Sequence, residues 1–113
     1  MNIIHQKIST RELSTMSAAL FGNMVKAVVD IDRELIALDA ELHSDLEALL
    51  LEDGSKQADL WGINLYPEAQ GADFIEFDSM INVRPSSGNR SRGVEKEAVR
   101  KKIIEVVAKW VTR

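Results

Sequence analysis

The chain has 113 residues, 45% of them hydrophobic, with 14 basic and 18 acidic side chains and a formal net charge of −4. That size and composition describe one domain, residues 1–113, large enough to bury a core and too small for two. It has no cysteine and only His5 and His43 as imidazoles, which excludes disulfides, cysteine nucleophiles and a structural zinc site.

Met1-Asn-Ile-Ile-His-Gln-Lys lacks the charged, apolar and small-residue order of a secretion signal, and no apolar run reaches the length of a membrane span. The chain therefore reads as cytoplasmic. Ser9-Thr-Arg-Glu12 has capping-box spacing and precedes apolar residues at Leu13, Met16, Leu20 and Met24, so a first helix begins there. Phe21-Gly22-Asn23 supplies its stop, because Gly and Asn tolerate the left-handed backbone of helix ends. Val25, Ala27, Val29 and Ile31 then alternate, and their β-branched character favours a strand turning near Asp32-Arg33-Glu34 into a second strand, Leu35 to Leu38. The same stretch, uninterrupted by Gly or Pro from Met24 to Asp53, also fits one long helix.

Leu42, Leu46, Leu49 and Leu50 share a face of a second helix that ends at Glu52-Asp53-Gly54-Ser55. Leu60 to Pro67 alternates, with Trp61, Ile63 and Leu65 on one side. Phe74 to Val83 alternates likewise, placing Ile75, Phe77, Ile81 and Val83 together, and both stretches read as strands with one wetter face. Val99, Ile103, Val106, Val107, Trp110 and Val111 mark a last helix with a poorly capped start. The order α-β-β-α-β-β-α predicts an α+β domain, an antiparallel sheet of about four strands with helices packed on one face.

Three segments carry a resemblance: Glu41-Leu-His-Ser-Asp45 with Leu49 to Ser55, then Leu60 to Pro67, then Ile81 to Gly93. Together they resemble a family of small bacterial proteins catalogued only as a domain of unknown function. The resemblance implies no activity and assigns no residue a role. In that family glycines often precede the Glu-Leu-His stretch. This chain has Asp39-Ala40 instead, which puts a tight strand-to-helix turn there in question.

The stretch Asn82 to Gly93 concentrates the residue types suited to chemistry. Arg84, Arg90 and Arg92 arrive without an acid between them, in a polar loop running from a strand into a helix. From Arg84 onward nine basic residues face three acids, a balance of +6; the remaining five basic and fifteen acidic residues give −10. Such a split suits either a patch that meets phosphate or a segment that pairs with acids. Gly88-Asn-Arg-Ser-Arg-Gly93 has the glycine spacing of a mononucleotide loop, but Val94-Glu95 stands where Lys-Ser/Thr belongs. Glu95 and Glu97 in the first helical turn also oppose an incoming anion.

Other constellations are weaker. Asp30 with Asp32 and Glu76 with Asp78 are strand-spaced acids that could hold Mg²⁺ or Mn²⁺, though solvated strand faces readily carry such pairs. His43 precedes Glu47 by one helical turn, the spacing of a surface ion pair or of a general-base pair. Arg92, Lys96 and Arg100 align as a basic stripe if the last helix begins early, but the low aromatic content and a pI of about 5.2 argue against a general nucleic-acid binder. An open sheet face and the Trp110 end suggest a homo-oligomer.

The reading that follows is a non-enzymatic binding module without cofactor that recognises a phosphate-bearing ligand or an acidic partner through the Arg84–Arg92 loop. Arg90 and Arg92 would clamp the anion, Arg84 would brace the loop or add a contact, and Ser86 and Asn89 would add hydrogen bonds. Two alternatives belong to other classes: a divalent-metal-dependent phosphoesterase or nuclease, and a purely structural homo-oligomer.

Overall fold

The computed structural model describes residues 1–113. Its first helix, α1 (Thr10–Ala19), starts at the expected capping box: the Glu12 N–H donates to Ser9 Oγ at 3.2 Å, and the Ser9 N–H donates back to the Glu12 carboxylate at 3.4 Å. Gly22, at φ +88°, lets the chain turn out of it. Two short strands precede the helix, β1 (Asn2–Ile3) and β2 (Ile8–Ser9), which the sequence did not announce.

The stretch that fits both a helix and a hairpin forms the hairpin. Strands β3 (Val25–Asp30) and β4 (Leu35–Leu38) pair antiparallel, with Ala27 opposite Leu38 and Asp30 opposite Leu35. Asp30 makes the turn. Its Oδ1 accepts from the backbone N–H groups of Asp32 and Arg33, both at 2.9 Å, as Asp side chains do in turns. Its Oδ2 accepts from the Ser55 hydroxyl at 2.6 Å, which ties the turn to the far end of α2 (His43–Glu52).

Strand β5 (Leu60–Leu65) pairs with β3 along its whole length, and β6 (Ile75–Glu76) pairs with the end of β5. The sheet order is β1-β4-β3-β5-β6, all antiparallel. The last helix, α3 (Glu97–Trp110), runs into β7 (Val111–Thr112), which pairs in parallel with β2. The fold is α+β with an antiparallel sheet, as expected, with five strands where about four were predicted and a separate two-stranded ribbon.

The distribution of helices differs from the expectation of one covered face. Val25, Ala27, Val29, Ile36, Leu38, Trp61, Ile63 and Leu65 form the main core with Leu13 of α1 and Ile103, Val106 and Val107 of α3. Val28, Ala37 and Leu60, on the opposite face, pack with Leu46 and Leu50 of α2 in a second core. All six residues of β5 are buried, so the face expected to be wet is covered. A centrally placed strand covered on both faces loses the outward polar alternation of a half-exposed one.

The expected strand Phe74–Val83 also shortens. Only Ile75–Glu76 pairs, and Met80–Asn82 forms a turn of 3-10 helix. Ile75 and Phe77 pack on the main core while Ile81 packs on the second, so the supposed common face is divided.

At the junction of β4 and α2 the chain makes the tight turn without glycine: Asp39 lies at φ +73°, in the left-handed region. No side-chain hydrogen bond of Asp39 compensates. A non-glycine residue there is strained by roughly 1–2 kcal/mol, so Asp39→Gly is expected to stabilise the chain by up to about 1 kcal/mol after the extra backbone entropy of glycine. Urea unfolding of the two proteins checks this; a lower midpoint for Asp39→Gly would refute it.

Candidate anion-binding site

Because β6 is two residues long, most of the outer edge of β5 lacks a neighbouring strand, and side chains from the loop close it. Asn82, fully buried, donates from Nδ2 to the Gly62 carbonyl at 2.9 Å and accepts from the Gly62 N–H at 2.8 Å, imitating a strand neighbour. The same Nδ2 donates to the Arg92 carbonyl at 2.9 Å. Gly62 is required for this approach, since a Cβ there would lie 2.5 Å from Ser79. One residue pair further along, Arg84 Nη2 donates to the Leu60 carbonyl at 2.7 Å and Nη1 to the Gln57 carbonyl at 2.6 Å. Its guanidinium carbon lies 4.2 Å from the centre of the Trp61 ring. Burial lowers the Arg84 pKa, while Glu47 and Asp59 nearby pull it the other way.

The rest of the loop is stitched to itself. Asn89, also buried, donates from Nδ2 to the carbonyls of Asn82, Ser91 and Gly93 at 2.8, 3.1 and 2.8 Å, and its Oδ1 accepts from the Glu95 N–H at 2.9 Å. Its backbone exchanges hydrogen bonds with Arg84 across the turn Pro85–Ser87, where Gly88 at φ +85° closes the chain. The exposed backbone N–H groups of Arg90 and Ser91 converge on Glu95 Oε2 at 2.5 and 2.9 Å. These two donors, helped by the Ser91 hydroxyl and the charge of Arg90, hold the Glu95 carboxyl below its usual range. The chain's own carboxylate thus fills the amide cradle.

The five expected anion-binding residues therefore divide. Arg84 and Asn89 have their hydrogen bonds inside the fold. Arg92 donates from Nε to Asp78 Oδ1 at 2.6 Å, a partly exposed ion pair. Arg90 and Ser86 are exposed, and neither side chain has a partner. Arg84, Arg90 and Arg92 are not gathered around one external group. Nor do Arg92, Lys96 and Arg100 share a helical face, because α3 begins only at Glu97.

Beneath the loop lies a cavity of about 200 Å³ walled by Trp61, Arg84, Ser87, Asn89, Lys96 and Val99, with Ile31, Ala58 and Gly88 completing it. Its wall contains two cations and no carboxylate. Trp61 Nε1 and Arg84 Nε are both buried without a hydrogen-bond partner. Trp61 and Lys96 were not among the residues expected to hold an anion with Arg84. No local spacing announces that, since β5, the turn after Pro85 and the approach to α3 bring them together.

The acids expected to bind a metal are dispersed. Asp30, at the Leu60 end of β5, is committed to its turn, whereas Glu76 lies beside Asn64 at the other end. Glu76 Oε1 accepts from Asn64 and Tyr66, and Asp78 pairs with Arg92. No three His, Asp or Glu side chains are grouped to hold a metal ion. His43 is not a surface partner of Glu47: it is 8% exposed, and its Nε2 lies 2.7 Å from the Ile63 carbonyl. Burial lowers its pKa from the ordinary 6.5, partly countered by that hydrogen bond.

A family model described as "Protein of unknown function (DUF5674)" matches residues 2–110. The chain belongs to this family. Membership in DUF5674 agrees with the resemblance carried by the segments around His43, Trp61 and Arg84, and it brings no activity with it. No curated protein and no solved structure matches the chain. No helix of this family member is long and apolar enough to cross a membrane.

Two outcomes follow from the geometry. Asn82→Ala leaves the Gly62 N–H and C=O and the Arg92 carbonyl without their partner, and at about 1–3 kcal/mol for each buried orphan the loss is expected to reach at least about 3 kcal/mol by chemical unfolding. A cost under 1 kcal/mol would show that the edge is not closed by Asn82. For His43, a pKa lowered in the folded state means that the unfolded chain binds the proton more readily just below pH 6.5. Stability is then fully present above that pH and falls as the pH drops toward the folded-state value. Thermal midpoints between pH 7.5 and 5 should decline for the wild type and decline less for His43→Gln; parallel curves would remove the effect.

Proposed function

We propose that this chain is a non-enzymatic binding module that receives an anionic group, a phosphate or a carboxylate, in the cavity beneath the Arg84–Arg92 loop. The observation that carries the reading is the cavity wall: Arg84 and Lys96 contribute positive charge, no carboxylate belongs to the wall, and two buried N–H donors of wall residues have no acceptor. An unpaired buried donor costs roughly 1–3 kcal/mol, and a ligand oxygen is the kind of acceptor that recovers it. The ring of Trp61 under the Arg84 guanidinium holds that cation in place.

Lys96 stands at the N-terminal cap of α3 without a side-chain cap for the helix, so the positive end of the helix dipole adds to the site, offset in part by Glu97 in the first turn. Because Glu95 already occupies the outer amide cradle, recognition shifts from the outer rim of the loop to its underside. Arg84 then has both roles expected of it, bracing the loop and facing the anion. Arg90, with its side chain unpaired, supplies longer-range attraction rather than a clamp. A volume of about 200 Å³ suits a single charged head group and not a whole nucleotide.

Thermal unfolding with inorganic phosphate and with small carboxylates tests this. Ligand at about a hundred times its dissociation constant adds roughly 2.7 kcal/mol to stability. Phosphate also stabilises proteins generally by exclusion from their surfaces, so the decisive comparison is Lys96→Ala. Lys96 is exposed and its side chain makes no hydrogen bond or ion pair, while its backbone carbonyl keeps accepting from Val99 and Arg100, so this variant is expected to fold as the wild type does. It should lose about tenfold in affinity, the usual scale of one charge-assisted contact, and Arg90→Ala should lose less. Equal shifts in wild type and Lys96→Ala, or no shift with any anion, would sink the reading.

A further inference from the structure

A second cavity, separate from the cationic one, lies between α3 and the β6 edge of the sheet. Helix α3 is more apolar than the main core requires. Ile103, Val106 and Val107 are buried in that core, but Ile104 remains 48% exposed and Ala108, one turn further, is also exposed. These two add a neighbouring apolar stripe at the i, i+4 spacing. Facing them are Phe74, Ile75 and Phe77, left there because β6 stops after two residues and the chain turns away toward Ser79.

The space between is about 360 Å³, at the lower end of the roughly 300–1,000 Å³ of small-molecule sites. Eight of its ten lining residues are hydrophobic, and the only ionisable side chain among them is Arg113. That guanidinium is positioned: its carbon lies 4.3 Å from the centre of the Phe74 ring, and Nη2 donates to the Ala69 carbonyl at 3.0 Å. It has no carboxylate partner in the fold, and its remaining N–H donors are uncommitted.

An apolar cleft with one fixed, unpaired guanidinium complements an alkyl chain that ends in a carboxylate. We propose that this cleft binds a medium-chain carboxylic acid, with the chain between α3 and Phe74, Ile75 and Phe77 and the carboxylate against Arg113. No acidic side chain belongs to the wall, which argues against a cationic ligand. A neutral hydrocarbon would leave the guanidinium without a role.

The test is a methyl-detected NMR titration with sodium octanoate, kept below its micelle concentration, and with octan-1-ol as the uncharged counterpart. Octanoate is expected to shift the methyl signals of Ile104, Val107 and Val111 and to bind about tenfold more tightly than octanol, the difference set by one charge-assisted contact. Arg113→Gln should abolish that preference while leaving octanol binding unchanged. Ile104→Asp, at an exposed position, should remove binding of both without unfolding the chain. Inorganic phosphate should leave these methyls unmoved, so this outcome and that of the cationic cavity are read separately. Octanoate that shifts none of these methyls, or octanol that binds equally well, overturns the proposal. So does a concentration-dependent dimer, seen by sedimentation and lost in Ile104→Asp, because a second copy would then cover the cleft.

Discussion

A strand edge inside a folded chain needs partners for its N–H and C=O groups, and in this protein the outer edge of β5 obtains them from side chains. The carboxamide of Asn82 takes both backbone groups of Gly62, and the guanidinium of Arg84 takes the Leu60 carbonyl. Without them, a strand buried on both faces would carry unpaired polar groups next to the second core. Much else is subordinate to this closure. Gly62 must lack a side chain because Ser79 abuts it, the segment after β6 must leave the sheet so that Asn82 can enter, and Asn89 must hold the loop's own carbonyls so that Asn82 and Arg84 stay in register.

The same constraint explains how the loop's donors are used. A loop rich in arginine, serine and glycine has the composition of an anion site, yet its best backbone donors are turned toward Glu95 and two of its three guanidinium groups toward the fold. The buried donors left without a partner there are Nε of Arg84 and Nε1 of Trp61, two residues that line one cavity with Lys96. Arg84 commits its Nη donors to the sheet edge and the Gln57 carbonyl and keeps Nε unpaired.

The charge split of the sequence is likewise partly resolved within the molecule. Arg92 pairs with Asp78, and Lys109 pairs with Glu34, whose carbonyl also accepts from the Trp110 indole at 2.8 Å. The basic final third therefore folds back on the acidic body. Exposed pairs of this kind contribute little individually.

Local chemistry was enough for the capping box at Ser9, the turn signals at Gly22 and Gly54 and the strand from Leu60 to Leu65, whereas around Asp30 it fitted a hairpin and a long helix alike. Each depends on residues a few positions apart, and periodicity reports such neighbours directly. It misplaced what depends on distant partners. Alternation from Phe74 to Val83 reads as a strand, but Asn82 has more to gain by replacing a strand than by continuing one, because Gly62 offers it two buried hydrogen bonds. His43 looks like a surface residue until α2 is laid on the sheet beside Ile63. Composition marked the residues from Asn82 to Gly93 as special. Only the tertiary structure decided which of their donors the fold consumes and which it leaves unpaired, because a hydrogen bond is assigned by direction and distance in space and not by order along the chain.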